Sequence, residues 1–285
     1  MTSLEAGTVV TLDVDREAPF GYFLTNGEED VLLHDSEVPD EFDPEEAQTV
    51  FLFQDHQGRL AATMTIPTVQ IGKYDWVEVV EVKESLGVFV SIGIVKDILV
   101  SKDDLPALQS LWPAIGDRLY CSLKTDKNGR LFGKLATEDV MRAVAEKATR
   151  KDFNKNITGW AYRLLKIGTF LLTDENYIGF IHETQRKQEP RLGQKVEGRI
   201  IDVKEDGTIN VSLLSRGHEA LDEDAEKIFS YMQSRGGKMP YWDKSNPEDI
   251  TARFNMSKAA FKRALGRLMK EGKIYQEDGW SFIKE

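Results

Sequence analysis

Short apolar runs broken by polar residues fill roughly the first three quarters of the chain, and a helical spacing of apolar positions takes over only near residue 220. Alternation of the kind in Trp76-Val77-Glu78-Val79-Val80-Glu81-Val82 predicts a strand with one wet face, because successive side chains point to opposite sides. The same reading places further strands at Val88–Ile92, Ile98–Val100, Arg118–Leu123 and Leu131–Leu135. The last two form a hairpin across Asp126-Lys127-Asn128-Gly129, and a short helical insert is expected near Leu105–Leu111.

One phrase recurs three times. Phe20-Gly21-Tyr22-Phe23-Leu24 is echoed by Leu86-Gly87-Val88-Phe89-Val90 and by Ile167-Gly168-Thr169-Phe170-Leu171. After each comes a second apolar run and a turn with glycine: Gly58, Gly129 and Gly207. A period of roughly seventy residues with about five strands per copy is the rhythm of an OB-fold barrel, although a tandem of SH3-like barrels fits the periodicity nearly as well.

Between the second and third copies, Thr137 to Lys155 reads as a helical linker with Val140, Val144 and Ala148 on one side and a basic second half of Arg142, Lys147, Arg150, Lys151 and Lys155. Helices follow the third copy, beginning near Leu221–Ala225. Asn246 before Pro247 starts the next, which runs to about Phe254, and Ser257 can cap a third running to Glu271. Gly272 ends it, and Lys273–Gln276 with Trp280–Ile283 makes a terminal hairpin, the order of a winged helix. The fold class expected is mainly β with a C-terminal α+β part: barrels over 1–63, 64–136 and 156–214, a helical linker over 137–155, and a winged helix over 219–285.

Apolar residues at 41% and charged residues at 30% describe an ordinary globular protein. No apolar run approaches the roughly 18 residues that cross a bilayer, and the first residues lack a basic-then-apolar signal, so a cytoplasmic protein with no membrane association is expected. The single Cys121 lies in an apolar stretch and reads as a buried thiol. The net charge of −11 argues against nucleic acid until it is divided. Residues 1–63 hold 2 basic against 15 acidic side chains, residues 64–140 hold 9 against 11, residues 141–218 hold 14 against 10, and residues 219–285 hold 12 of each. Only the third unit with its leading linker is net basic.

These residues resemble the S1 RNA-binding domain. The carrying motifs are Gly-x-Phe, the runs Leu33-His34-Asp35-Ser36-Glu37 and Gly179-Phe180-Ile181-His182-Glu183, and the turn Asp-x-x-Gly-Arg at Asp55–Arg59 and Asp126–Arg130. Three such domains ahead of a winged helix resemble the bacterial conserved virulence factor B family of RNA-binding regulators. The resemblance implies that the aromatic before the glycine, the Phe after it, the His of the third strand and the Asp and Arg of the turn face RNA. The first unit matches at Phe20, Phe23, His34, Asp55 and Arg59. The second keeps Phe89, Asp126 and Arg130, with Leu86 and Ser101 at the other places. The third keeps Phe170 and His182, with Ile167 and Thr208 instead.

Motif and charge point to different barrels. Phosphate neutralisation supplies most sequence-independent affinity, so the acidic first unit should repel RNA despite its motif. The expected RNA surface is therefore on the third unit: Phe170, Tyr177, Phe180 and His182 near Arg163, Lys166, Arg186, Lys187, Arg191, Lys195 and Arg199. Strand alternation allows only part of that set to face outward. In the last helix Phe261, Ala264, Leu265 and Leu268 form the inner stripe, and Lys258, Lys262, Arg263, Arg267 and Lys270 the outer half. Phe20, Phe23, His34, Arg59, Phe89 and Arg130 are weaker RNA-binding candidates.

No catalytic apparatus is expected: His34, His56, His182 and His218 are scattered, no second cysteine or metal-ligand spacing occurs, and no phosphate-cradling Gly-Lys-Ser/Thr loop follows a strand. The reading is a non-enzymatic protein holding single-stranded RNA through the third barrel and winged helix, regulating expression after transcription, with no metal, cofactor or small-molecule ligand. Two alternatives stay open: a scaffold whose acidic first barrel docks a basic protein partner, and a DNA-binding regulator led by the winged helix, against which the acidic wing tip Glu277-Asp278 counts.

Overall fold

The computed structural model describes residues 3–284, and only the backbone of residues 217–220, so His218 lies outside the described side chains. Three five-stranded barrels come first. Strands β1 (Val9–Ala18), β2 (Gly21–Thr25), β3 (Asp30–His34), β4 (Gln48–Gln54) and β5 (Leu60–Thr63) form the first. The second contains β6 (Asp75–Lys83), β7 (Gly87–Ser91), β8 (Ile98–Ser101), β9 (Arg118–Thr125) and β10 (Leu131–Leu135), and the third β11 (Asn156–Leu165), β12 (Gly168–Thr173), β13 (Ile178–His182), β14 (Lys195–Val203) and β15 (Ile209–Ser212). Each sheet closes on itself in the strand order 1-2-3-5-4, with the third and fifth strands parallel. That topology is the OB-fold and not an SH3-like barrel.

The repeated glycine opens the second strand opposite the end of the third: Gly21 faces His34, Gly87 faces Ser101 and Gly168 faces His182. Gly21 and Gly87 sit at φ +141° and +139°. A Cβ at Gly87 would overlap the Val100 carbonyl oxygen and lie 2.7 Å from the Lys102 nitrogen. Only glycine lets the two strands approach so closely, which is why the phrase was readable in the sequence.

The first and third barrels each bury a core of their own, around Leu24, Leu33 and Leu52 and around Leu171, Ile181 and Ile200, while the core of the second reaches into both neighbours. Phe51 and Phe53 of the first and Leu192 of the third belong to one buried cluster with Val77, Val79, Val88 and Leu119 of the second. Polar links reinforce the seams: the Lys96 ammonium donates to the Asp55 carbonyl oxygen at 3.1 Å, and Arg191 Nε and Nη2 donate to the Asp117 carboxylate at 3.1 and 3.2 Å. Cys121 is fully buried in this cluster, and desolvation pushes its thiol up to about 12, so the thiolate is suppressed.

Two expected helices are shorter than predicted. The linker over 137–155 forms helix α1 only at Glu138–Val144, followed by extended chain and a 3-10 turn at Arg150–Asp152. Met141 is its buried contact and packs on Leu172 and Ile178; of the expected inner residues Val144 is exposed, Val140 is half-buried, and Ala148, beyond the helix, is buried in the third-barrel core. The insert near Leu105–Leu111 consists of 3-10 turns at Lys102–Asp104 and Gln109–Leu111, broken by Pro106, whose ring clashes with a continuing helix.

Asp152 ties the linker down. Its carboxylate accepts from Lys155 Nζ at 2.8 Å, and from the Thr149 backbone N–H and hydroxyl at 2.8 and 2.9 Å, which hold it at about 2. A depressed carboxylate stabilises the fold above its unfolded value near about 3.9 and loses that contribution as pH falls toward the folded value. Asp152→Asn is therefore expected to lower the melting temperature at pH 6 and to flatten its decline between pH 4 and about 2. An unchanged decline in scanning calorimetry would remove Asp152 from the acid response.

Residues 214–285 form a second unit. Helix α2 (Gly217–Ser234), strand β16 (Lys238–Met239), helices α3 (Pro247–Phe254) and α4 (Lys258–Lys270), and strands β17 (Ile274–Glu277) and β18 (Trp280–Ile283) give the winged-helix order. The predicted caps are in place, with Asn246 accepting from the Glu248 N–H and Ser257 from the Ala260 N–H. Phe261, Ala264, Leu265 and Leu268 are buried against Ile228, Met232, Ile250 and Phe254, as the apolar stripe predicted. Alternation did not reveal β16, which is only two residues long and pairs with β18.

Candidate nucleic-acid interface

Each barrel carries a bulge at the same place in its first strand, between Val14 and Arg16, Val79 and Glu81, and Ala161 and Arg163. The bulge aims the residue after it across the outer face of the sheet. From there a row of facing residues crosses the barrel. In the third barrel it reads Arg163, Phe170, Phe180, Asn210 and Asp202. In the second it reads Glu81, Phe89, Leu99, Phe132 and Lys124. In the first it reads Arg16, Phe23, Leu32, Ala61 and Phe53, the last buried in the seam with the second barrel.

The third row joins aromatic surface to positive charge. Phe170 and Phe180 are half-buried, their ring centroids 5.0 Å apart. The Arg163 guanidinium lies 5.9 Å from the Phe170 centroid, and the Lys204 ammonium 6.0 Å from that of Phe180. Arg163 also reaches Glu138 at 3.4 Å. His182 is exposed beside Phe180 at 6.4 Å. Its Nδ1 accepts the Thr184 backbone N–H and so caps the following turn. His34 and Ser101 cap the corresponding turns in the other barrels, so this position has a structural duty in all three.

The turn before the fifth strand separates the barrels electrostatically. Arg59 forks onto Asp55 at 2.7 and 2.8 Å, and Arg130 reaches Asp126 at 2.6 and 2.7 Å, holding the Asp126 carboxyl below its usual range. Each arginine of the motif thus pairs with the aspartate of its own turn while most of its side chain stays exposed. In the third barrel Lys204 occupies the place of Asp55 and Thr208 that of Arg59, so this turn presents an ammonium group.

The remaining sequence candidates disperse. Arg186 has a side chain only 7% exposed and bridges Thr169 and Glu189; Arg191 is spent on Asp117. Tyr177 packs on the barrel core at the far end of the hairpin. Lys166 and Lys187 are exposed in loops, and Arg199 is half-buried on β14 outside the row. Lys195 lies 5.3 Å from the ring of Trp160, which also has Arg118 at 5.2 Å and Trp76 at 6.1 Å. Phe20 is 47% exposed, Phe23 meets it edge to face at 6.4 Å, and Phe89 has Lys83 at 4.8 Å from its ring. Phe132, Lys204, Asn210 and Trp160 escaped the sequence reading, because cross-strand register decides who neighbours whom.

In the winged helix, Lys262, Arg263 and Lys270 project from α4 into solvent and Lys258 is half-exposed in its first turn. Arg267 differs, since it pairs with Asp222 and with Glu271 at 2.9 Å. Tyr275 and Phe282 stack at 5.2 Å on the outer face of the wing, with Trp280 exposed beside them. Among the described residues no cluster of three or more His, Cys, Asp or Glu is placed to hold a metal ion, and no helix is long and apolar enough to cross a membrane.

The domain types on view are those of nucleic-acid-binding proteins, and comparison with known sequences agrees. Residues 6–65 match the S1 domain family, residues 74–134 the CvfB first S1-like domain, residues 141–215 the second domain of virulence regulatory factor CvfB, and residues 226–281 the CvfB-like winged helix domain. An uncharacterized protein of Bacillus subtilis, YitL, is 50% identical over 99% of this chain and 95% of its own. A solved multidomain protein with nucleic acid binding domains from Streptococcus pneumoniae is 38% identical, with a TM-score of 0.69 over 98% of each chain. Conserved virulence factor B of Staphylococcus epidermidis is 40% identical over 90% of both chains, and with all four domains accounted for, the chain belongs to the conserved virulence factor B family.

Proposed function

We propose that this protein binds single-stranded RNA without catalysing a reaction on it, and so regulates gene expression after transcription. The observation that carries the reading is the third-barrel row, where two cations lie over two facing aromatic rings. Unpaired bases offer π-faces to such a platform, while phosphates need the adjacent positive charge. A duplex keeps its bases stacked inside and has no use for the platform. The exposed cations of α4 give a second, separate set of phosphate partners. The acidic wing tip Glu277-Asp278 disfavours the duplex alternative.

Fluorescence anisotropy of the full chain with an unstructured RNA of about 20 nucleotides and a duplex DNA of equal length tests this. The RNA is expected to bind more tightly. Arg163→Glu with Lys204→Glu, and separately Lys262→Glu with Arg263→Glu, should each weaken it by at least about tenfold and make the salt slope shallower by about 0.7 for every phosphate no longer neutralised. Preference for duplex would indicate a DNA regulator, and no affinity for either would leave a protein scaffold.

A further inference from the structure

The first barrel assembles the same face as the third and then reverses its charge. Phe23 and Leu32 lie in the row, His34 follows on β3, and exposed Phe20 stands edge to face with Phe23. By position this is an aromatic platform like that of Phe170 and Phe180. Its cations, however, are already satisfied. The Arg16 guanidinium lies 4.2 Å from the Phe23 centroid but pairs with Asp15 and with Asp30 at 2.9 Å, and Arg59 is forked onto Asp55. Hydrogen bonds from Arg16 and Thr25 hold the Asp30 carboxyl below its ordinary value, so it stays ionised beside the rings. Asp35 is exposed at the rim, its backbone N–H donating to the Phe20 carbonyl oxygen, and no lysine occurs among residues 1–63.

Among the described residues of this barrel, a phosphate approaching these rings meets carboxylates and two arginines already paired with them. A guanidinium or ammonium group meets the opposite: the exposed ring of Phe20, which attracts cations, carboxylates that outnumber the two arginines of this barrel, and the apolar edge of Leu32 for its methylene stem. We propose that the outer face of β2 and β3 in the first barrel is a docking surface for an arginine- and lysine-rich segment of another protein. Charge complementarity selects this occupant over RNA. The surface uses side chains separate from those of the third-barrel row, so it stands whether or not that row binds RNA.

The test uses the full chain and a fluorescein-labelled peptide of about 12 residues alternating arginine with alanine. Phe20→Ala, at a position exposed enough to leave folding intact, is expected to weaken peptide binding by about threefold to fivefold. Asp15→Asn with Asp30→Asn should weaken it by about tenfold, whereas Glu45→Gln with Glu46→Gln should change it by less than about twofold. That control removes the same two charges from the segment whose Phe42 packs on Tyr22, on the other side of β2 from Phe23. RNA affinity should not respond to Phe20→Ala. The proposal is overturned if the peptide does not bind, if the two charge variants act equally and Phe20→Ala is silent, or if Phe20→Ala lowers RNA affinity.

Discussion

Replacing Phe170 and Phe180 together by alanine is expected to weaken binding of an unstructured RNA by at least about thirtyfold. Each stacked base contributes about 1–3 kcal/mol when its aromatic platform is intact, and the two rings face each other across β12 and β13 within reach of one strand of bases. Both rings are half-buried, so weaker packing adds to the effect of the alanine pair. The paired leucine variants separate the two causes, because leucine keeps apolar contact and removes the π-face. Anisotropy should show the leucine pair nearly as impaired as the alanine pair, with thermal unfolding close to that of the parent. Parental affinity in the leucine pair would show that the rings serve the barrel and not the RNA.

Alanine at Gly87 should destabilise the three-barrel unit by about 3 kcal/mol or more, from a strained backbone and an overlap that strand pairing cannot relax. Melting would fall by about 6–12 °C, taking a domain of this size to shift by about 2–4 °C per kcal/mol. Gly27 is the comparison: its φ is +89°, yet nothing lies within 4 Å of a Cβ built there. Gly27→Ala should therefore show only the conformational penalty, about 1 kcal/mol. Equal losses at both positions would mean that close approach to β8 is not what demands glycine in the repeated phrase.

That phrase shows what a linear reading can recover. Gly21, Gly87 and Gly168 were visible because a steric need local to one strand pair recurs at a regular interval, and Ser257 and Asn246 were visible because a cap and the helix it starts are neighbours in sequence. The third-barrel row was half visible for the opposite reason. Phe170, Phe180, His182 and Arg163 were found as an aromatic and basic cluster, but Lys204 and Asn210 join them only through the parallel pairing of β13 with β15. Arg191 was read as a phosphate ligand because its partner, Asp117, is 74 positions away, and Arg186 because nothing nearby in sequence announces Thr169. The linker failed as a single helix because basic residues with good helical propensity say nothing about whether a continuous buried face exists for them; Met141 is buried from the helix and Ala148, expected on the inner side, from the extended chain after it.

The cluster shared by the barrels has a further consequence, for how a long ligand is measured out. Barrels joined by a flexible tether would meet successive stretches of a strand at an adjustable spacing, with an effective concentration set by tether length. Here Phe51, Phe53 and Leu192 are buried in one interior with the second barrel, so the outer faces of the three sheets keep a constant separation. The unit behaves as a ruler. A ligand engaging more than one face must match that fixed interval, and a chain cut near residue 140 would keep the interval between the first two faces and lose the one to the third.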